Sequence, residues 1–415
     1  MNLKIKNESF LQSIVALCII LDCECIWKWM HHSGYFKLGL NLCIVFCLLL
    51  LILRNGTTIK IIYGKSVATL IGFLIIFFLY NFATNSDHFS DTLLMVFVVL
   101  LMAIYLSDKD TLFVIFEKGS KILCFLAIMS LFFWLFGSVL HIFSPNQSLI
   151  VYNSDVANVR QSYFYLHYEV QKEELLNNAI YRNTGIFYEG PKYVLLLSIF
   201  LMYELYVSKK SNYKRAVIFT ITAITTFSMT GIYAILLIWI LYIFTKSSAK
   251  TIRGFVVRII FLLAFFVFGY RIFSSLEDMF SIKATTSSYS TRMDNYTAGF
   301  LAWLENPIMG VGYLNMTTIQ EHYSSFRLND IGYSNSIFRV LAQGGVYLFL
   351  MYLIPVIKAI KQGIMNKNWF IIAFVIVFLF FFITTSFPYN YVMYLVLCLM
   401  YFGTNNEEQS VFEEE

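Results

Sequence analysis

Arg182-Asn-Thr-Gly-Ile-Phe-Tyr-Glu-Gly-Pro191 closes a polar stretch and runs directly into the apolar segment 192–207. A cation, a glycine, a carboxylate and a proline meet at that border. Proline suits the first turn of a helix, and the residues behind it are nearly all apolar. Such blocks, roughly 15–22 residues long, recur along the chain and match the length that spans a bilayer core as helix. The 415 residues are 59% hydrophobic and only 13% charged, against about 25% charged in soluble domains. Backbone groups in lipid must pair internally, so the blocks are helices and not open sheet. The sequence therefore predicts an all-α polytopic membrane protein, with a single integral membrane domain over 1–415.

About 12 transmembrane helices are expected, at 9–26, 36–53, 66–82, 92–106, 120–140, 192–207, 214–228, 230–245, 256–273, 334–357, 369–385 and 388–402. Basic residues set their orientation. With the N-terminus inside, Lys4, Lys6, Arg54, Lys60, Lys65, Lys109, Lys118, Lys121, Lys209, Lys210, Lys214 and Arg215 fall on the cytoplasmic side. So do Lys246, Lys250, Arg253, Arg258, Lys358, Lys361 and Lys367. This is the positive-inside pattern. The short outer connections 83–91 and 384–389 carry no Lys or Arg. Both termini are then cytoplasmic. Lys4 and Lys6 precede an apolar run without a small-residue cleavage site, which reads as an uncleaved signal anchor. The acidic tail from Glu407 to Glu415 reads as a solvated end.

The net charge of +5 comes from these short loops and does not point to nucleic acid. All seven cysteines lie in or beside apolar segments, so they read as small buried hydrophobes rather than a disulfide framework. Residues 216–244 are long for one span and short for two. Basic loops flank them on both sides, so the chain must turn back, most simply at Ser228-Met-Thr-Gly231. The run Thr220, Thr222, Thr225, Thr226, Ser228, Thr230 either lines a cavity or bonds back to helix carbonyls.

Two long external loops remain, 141–191 and 274–333. Loops of this length in compact proteins are functional or disordered. In the second, Met293, Tyr296, Phe300 and Trp303 recur at helical spacing over 291–304, with Arg292, Asp294 and Asn295 on the polar side. Such an amphipathic helix suits a membrane interface, with Arg292 near the headgroup plane.

The candidate site follows from charge placed at that surface. Arg182 and Lys192 flank the opening stretch. Arginine binds phosphate in a two-pronged geometry, and the helix start at Pro191 favours an anion. Together they suit the pyrophosphate of a lipid-linked substrate. Glu189 is a general base for a sugar hydroxyl or an ion-pair partner. Arg339 sits about two turns inside a span, on one stripe with Ser336 and Gln343, and such cations usually face a cavity. External aromatics, Tyr188 among them, offer stacking faces for sugar rings. The six histidines are too scattered for a metal site, and no phosphate-cradling glycine loop occurs. No metal and no cofactor are therefore expected.

In the order of its elements the chain resembles the bacterial O-antigen polymerase and O-antigen ligase superfamily, the Wzy and WaaL type. Four stretches carry the resemblance: RNTGIFYEGPKY (182–193), TFSMTGIYA (226–234), STRMDNYTAGFLAWLENPIMGVGY (290–313) and SNSIFRVLAQGGV (334–346). The resemblance implies a GT-C-like fold and metal-independent glycosyl transfer at the outer face of the bacterial cytoplasmic membrane, facing the periplasm or exterior. The donor it implies is a glycan on undecaprenyl pyrophosphate, with Arg182 and Arg292 holding the pyrophosphate as leaving group. Ser334, Asn335 and His322 are further substrate-binding positions. A chain-length regulator and a flippase are implied as partners.

Two departures matter. Met229 stands where the family often has arginine, and Ser334 where ligases have a histidine beside the asparagine. The second favours polymerase over ligase and leaves the base open among Glu189, His322 and Asp330. A lipid-linked oligosaccharide flippase is the competing class. Transporters are expected to show internal repeats and short loops, and neither is visible here.

Overall fold

The structure is a computed structural model and describes residues 2–30, 33–54, 64–153, 156–175, 178–208, 213–246, 287–327 and 332–403. The expected span 256–273, Asp330, the 274–286 part of the second loop and the tail from Glu407 lie outside the described residues.

The helices are α1 (Asn2–Asp22), α2 (Ser33–Arg54), α3 (Gly64–Thr84), α4 (Phe89–Tyr105), α5 (Lys109–Phe133), α6 (Gly190–Tyr206), α7 (Tyr213–Thr225) and α8 (Met229–Lys246). Then come α9 (Ser287–Glu305), α10 (Thr317–Glu321), α11 (Ser336–Met365), α12 (Trp369–Thr384) and α13 (Tyr391–Phe402). A π turn, Trp134–Val139, extends α5. Each expected span inside the described residues corresponds to a helix. Stretches Gly34–Arg54, Val67–Thr84, Lys109–Val139 and Ser336–Met365 are long and apolar enough to cross a membrane by length and composition. Local chemistry sets several starts. Asp108 accepts from the Thr111 amide (3.1 Å) at α5 and Asn335 from the Phe338 amide (3.0 Å) at α11.

Helix α6 is buried on nearly all faces from Tyr193 to Leu205, and α13 is buried along almost its whole length. Helices α5, α7, α8 and α12 pack around α6. The outer helices instead present Leu42, Phe46, Leu53, Leu79 and Phe82 outward, each more than half exposed. So much exposed apolar surface suits lipid, not water. The chain is a multi-pass membrane protein. Lipid tails are as apolar as leucine, so close van der Waals contact must hold the bundle. At Gly231 a Cβ would lie 2.7 Å from Val194, so only glycine lets α8 approach α6 this closely.

The structure alters the expected picture in four places. First, α1 stops at Asp22, earlier than the expected 26, and a short 3-10 turn, Ile26–Trp29, follows. Cys25 there bridges Phe187 across the sheet direction, and the Ile26 amide donates to the Ile186 carbonyl (2.9 Å).

Second, the loop 141–191 is not helical. Strands β1 (Gln147–Asn153), β2 (Val156–Tyr163) and β3 (His167–Glu169) form an antiparallel sheet, and β4 (Lys172–Leu175) pairs with β5 (Asn178–Tyr181) as a hairpin. The all-α class therefore describes the membrane body alone.

Third, residues 216–244 form two helices. The turn lies at Thr226–Ser228, before the expected Ser228–Gly231, because Phe227 takes a left-handed φ of 50° and Ser228 caps α8 through the Gly231 amide (3.3 Å). Thr220, Thr222, Thr225 and Thr226 all donate to carbonyls three or four residues back, so back-bonding decides that run.

Fourth, α11 is broken at Gly345 (φ 61°, ψ −168°). The stretch Pro307–Gly312 fills the break. Val311 and Gly312 amides donate to the Ala342 and Gln343 carbonyls (2.8 and 3.1 Å), and Val346 and Tyr347 amides donate to the Pro307 and Ile308 carbonyls (both 2.9 Å). A side chain at Gly345 would strike the Ile308 backbone at 2.2 Å. Interrupted helices in membranes are tolerated where neighbouring protein satisfies the freed groups in this way. Tyr80 and Asn81 of α3 clamp the same stretch, through the Gly310 carbonyl (2.8 Å) and the Tyr313 amide (2.6 Å).

Candidate functional site

The opening stretch is held from three sides. The Asn183 amide and side chain both reach Thr225 (3.1 and 3.0 Å), at the end of α7. Thr184 donates to the Tyr168 carbonyl of β3 (3.1 Å), and the Tyr188 amide to the Glu24 carbonyl (3.1 Å). Gly185 takes φ 55°, with Tyr193 and Ser130 within 3.3 Å of where a Cβ would sit. The backbone there requires glycine. Tyr188 stacks on Trp29 at 4.6 Å, so its ring is committed to internal packing.

Arg182 is half-buried and its Nη1 donates to the Gln171 side chain (3.3 Å). Burial lowers its pKa, but a guanidinium stays charged. Glu189 occupies the cap position of α6, yet its side chain makes no cap bond. Its carboxylate is half-exposed at the helix start.

Lys192 and Arg339 converge on one residue that the sequence did not single out. Lys192 Nζ donates to the Ser386 carbonyl, and Arg339 Nη1 donates to the Ser386 hydroxyl (3.1 Å). Arg339 also lies 5.5 Å from the centre of the Tyr389 ring. Ser386 belongs to the turn between α12 and α13, the short connection that reads as bare of charge. Two residues of the stripe read on α11, Ser336 and Arg339, face this turn, whereas Gln343 donates to the Asn315 carbonyl (2.9 Å). Ser336 donates to the Thr385 carbonyl (2.5 Å) and accepts from the Phe387 amide (3.0 Å). Tyr296 of α9 reaches the Ile383 carbonyl (2.9 Å), and Tyr352 the Pro388 carbonyl (2.7 Å). Helices α6 and α11 thus meet on one neutral turn, and α9 reaches the last residues of α12 just before it.

The network continues to the end of α1. Asn390 donates to the Asp22 carbonyl, and the Tyr391 amide to the Asp22 carboxylate (both 2.7 Å). Lys28 pairs with Asp22 and Glu24 (3.2 and 3.4 Å). Burial by itself would raise the Glu24 carboxyl, but Lys28 and Lys192 beside it and the Asn390 amide bring it down to about 2. Lys192 therefore has a carboxylate neighbour, whereas Arg339 is in no ion pair among the described residues.

The second loop holds a surprise of orientation. Asp294 and Asn295, read as the solvent side of α9, are buried, while Met293, Phe300 and Leu304 are exposed. The inward partner is Arg327, only 3% exposed. It donates to Asn295, to Asp294 (3.4 Å) and to the Gly332 carbonyl, and lies 3.8 Å over the Tyr323 ring. A polar face can turn inward when it meets its own partners there. Arg292 remains exposed on α9.

Ser334 accepts from Asn295 (3.0 Å), and Asn335 caps α11 through its side-chain oxygen, while its amide nitrogen has no hydrogen-bond partner among the described residues. His322 pairs with Glu305 at 2.7 Å. Glu305 ends α9, about 20 Å along the helix from Arg292, which separates His322 from that arginine. The contacts bring together Lys192 and Arg339 at Ser386. No group of metal-ligating side chains occurs among the described residues.

Ser386, Tyr389 and Arg327 escaped notice for different reasons. The turn Thr385-Ser-Phe-Pro-Tyr-Asn390 carries no charge, and its role lies in carbonyls and a hydroxyl facing cations on other helices. Arg327 has no helical periodicity around it.

The fold and site define a multi-pass helical membrane protein with cations gathered at one end of its bundle. Residues 216–353, about a third of the chain, match the Wzy_C family model, described as O-antigen ligase. The match runs from α7 through the Gly345 break of α11. It supports a place among the O-antigen polymerases and ligases, and with it a glycan-transferring activity. No curated protein matches the chain.

Proposed function

We propose that this protein polymerises lipid-linked oligosaccharide repeat units. It transfers the growing O-antigen or capsular glycan from undecaprenyl pyrophosphate to a new lipid-linked repeat unit, at the outer face of the cytoplasmic membrane. The acceptor hydroxyl oxygen attacks the anomeric carbon of the donor. The bond from that carbon to the pyrophosphate oxygen breaks, and the lipid pyrophosphate leaves. Charge grows on the leaving oxygen, so fixed cations lower the barrier. Arg182 and Arg292 are assigned to that charge, with Lys192 and Arg339 holding the substrate nearby. Glu189, whose carboxylate is not used as a helix cap, is assigned to take the hydroxyl proton. The step needs no metal.

The observation that carries polymerase over ligase is Ser334. It stands at the position of the ligase histidine and is bonded to Asn295 (3.0 Å). A serine there cannot act as the imidazole base. Ligation to a different acceptor is the second reading, favoured by the description of the matching family.

The test uses purified full-length protein, lipid-linked repeat units and a chelator. Growth of carrier-linked glycan by whole repeat units, undiminished by the chelator, is expected. Transfer only when a separate acceptor lipid is added contradicts polymerisation.

A further inference from the structure

A cavity of about 310 Å³ opens between α3, α4, α11 and α13, lined by Phe73, Ala103, Pro355, Leu397 and Tyr401 among others. It lies toward the ends of α11 and α13 and the start of α3, away from the Ser386 turn. The gap between α6, α12 and α13 amounts to about 10 Å³. Protein interiors are close-packed, and an unfilled space of the larger size would forfeit contacts along all its walls.

The walls are almost wholly aliphatic and aromatic, and the mouth is cationic. Lys358 Nζ sits 3.8 Å over the ring of Tyr401, itself a wall residue. Lys361 is exposed one turn further along α11. Neither lysine is in an ion pair among the described residues. From Lys358 back to Leu350, the wall residue on α11 farthest from it along the helix, is about 12 Å, close to the ~15 Å half-thickness of a bilayer core. An apolar shaft of leaflet depth under a pair of cations matches one ligand class.

We propose that this cavity binds a membrane phospholipid, with one acyl chain in the shaft and the headgroup phosphate at Lys358. It is a site separate from the glycan chemistry and does not depend on the reading of that chemistry. A lipid seated there would fill the gap beside the broken helix α11 and brace it.

The test is photolabelling of the full-length protein in phosphatidylethanolamine vesicles. They contain a trace of phosphatidylglycerol with a diazirine near the end of one acyl chain. Label is expected to concentrate on wall residues such as Phe73, Ala103 and Leu397. It should drop about tenfold in Ala103→Trp, which fills the shaft, and about fivefold in Lys358→Glu, which repels the phosphate. The wild-type map alone suffices should a variant fail to fold. Label spread evenly over outward residues such as Leu42, Phe46 and Phe82 overturns the proposal. So does displacement of the phospholipid by a trace of polyprenyl phosphate, which would give the shaft to the carrier lipid.

Discussion

Arg292 stands exposed on one side of α9, whereas Arg327, packed behind the same helix, is 3% exposed and donates to Asn295, Asp294 and Gly332. One is a cation whose donors face outward, the other a cation whose donors are consumed by the protein. A related contrast separates Arg339, which among the described residues meets a neutral hydroxyl and a ring but no carboxylate, from Arg215, which pairs with the buried Glu204 at 2.8 Å. Internal partners fix a charge as architecture. Donors left facing outward are what an anionic substrate requires.

The sharpest way to break this contrast is stability. Arg327→Leu strands the buried Asp294 carboxylate and should cost about 3–5 kcal/mol, the usual effect of removing one partner of a buried pair. Arg292→Leu should stay within about 0.5 kcal/mol. Thermal unfolding of both purified variants checks this, and equal losses would dissolve the distinction. Activity should run the other way. Arg292→Ala and Arg182→Ala should each lower polymerisation by about 10²–10³, the scale for removing a group that stabilises transition-state charge, while protein level in the membrane holds. Full polymer in either would remove that residue from the site.

A charge excluded from the β-structured loop supplies a third comparison. Burial holds the His167 imidazole down at about 3, with the Ser138 hydroxyl 3.4 Å from Nε2. Its folded pKa lies below the unfolded value of about 6.5. The unfolded loop thus gains a proton first as pH falls. Stability is full above pH ~6.5 and is lost toward pH ~3, by about 2 kcal/mol at pH 5. Proteolysis of this loop should accelerate over that window and lose the dependence in His167→Asn. The smallest effect belongs to Ser386→Ala. It removes the acceptor of Arg339 but leaves the carbonyl held by Lys192, so about 1 kcal/mol, or five- to tenfold in turnover, is expected. A loss as large as that of Arg292→Ala would move the centre of the site to this turn.

The membrane body was legible because lipid imposes length and apolarity on every span, and α2, α6 and α12 begin or end within a few residues of where those rules put them. The break at Gly345 was not, because Gly344-Gly345 in an apolar run looks like ordinary close packing. Its cause is the loop 307–312, thirty-odd residues away. The strands β1 to β5 lack a clean alternation of apolar and polar residues, and β3 to β5 are only three or four residues long, so they did not announce themselves. Of the site, the charged residues Arg182, Lys192 and Arg339 stood out because charge is costly near lipid. The turn that gathers two of them did not, because its contribution comes from the carbonyl and hydroxyl of a neutral serine. Tyr188 and Asn335 read as substrate contacts; in the fold the Tyr188 ring also stacks on Trp29, and the Asn335 oxygen also caps α11, which leaves its amide nitrogen as the group available to a ligand.

The most direct test of the central claim is the surface-glycan size profile of a strain lacking this gene, taken beside its lipid-linked intermediates. Single repeat units at the surface with no ladder above them are the result expected of a missing polymerase. Long polymers stranded on the lipid carrier would contradict it and assign the chain to ligation.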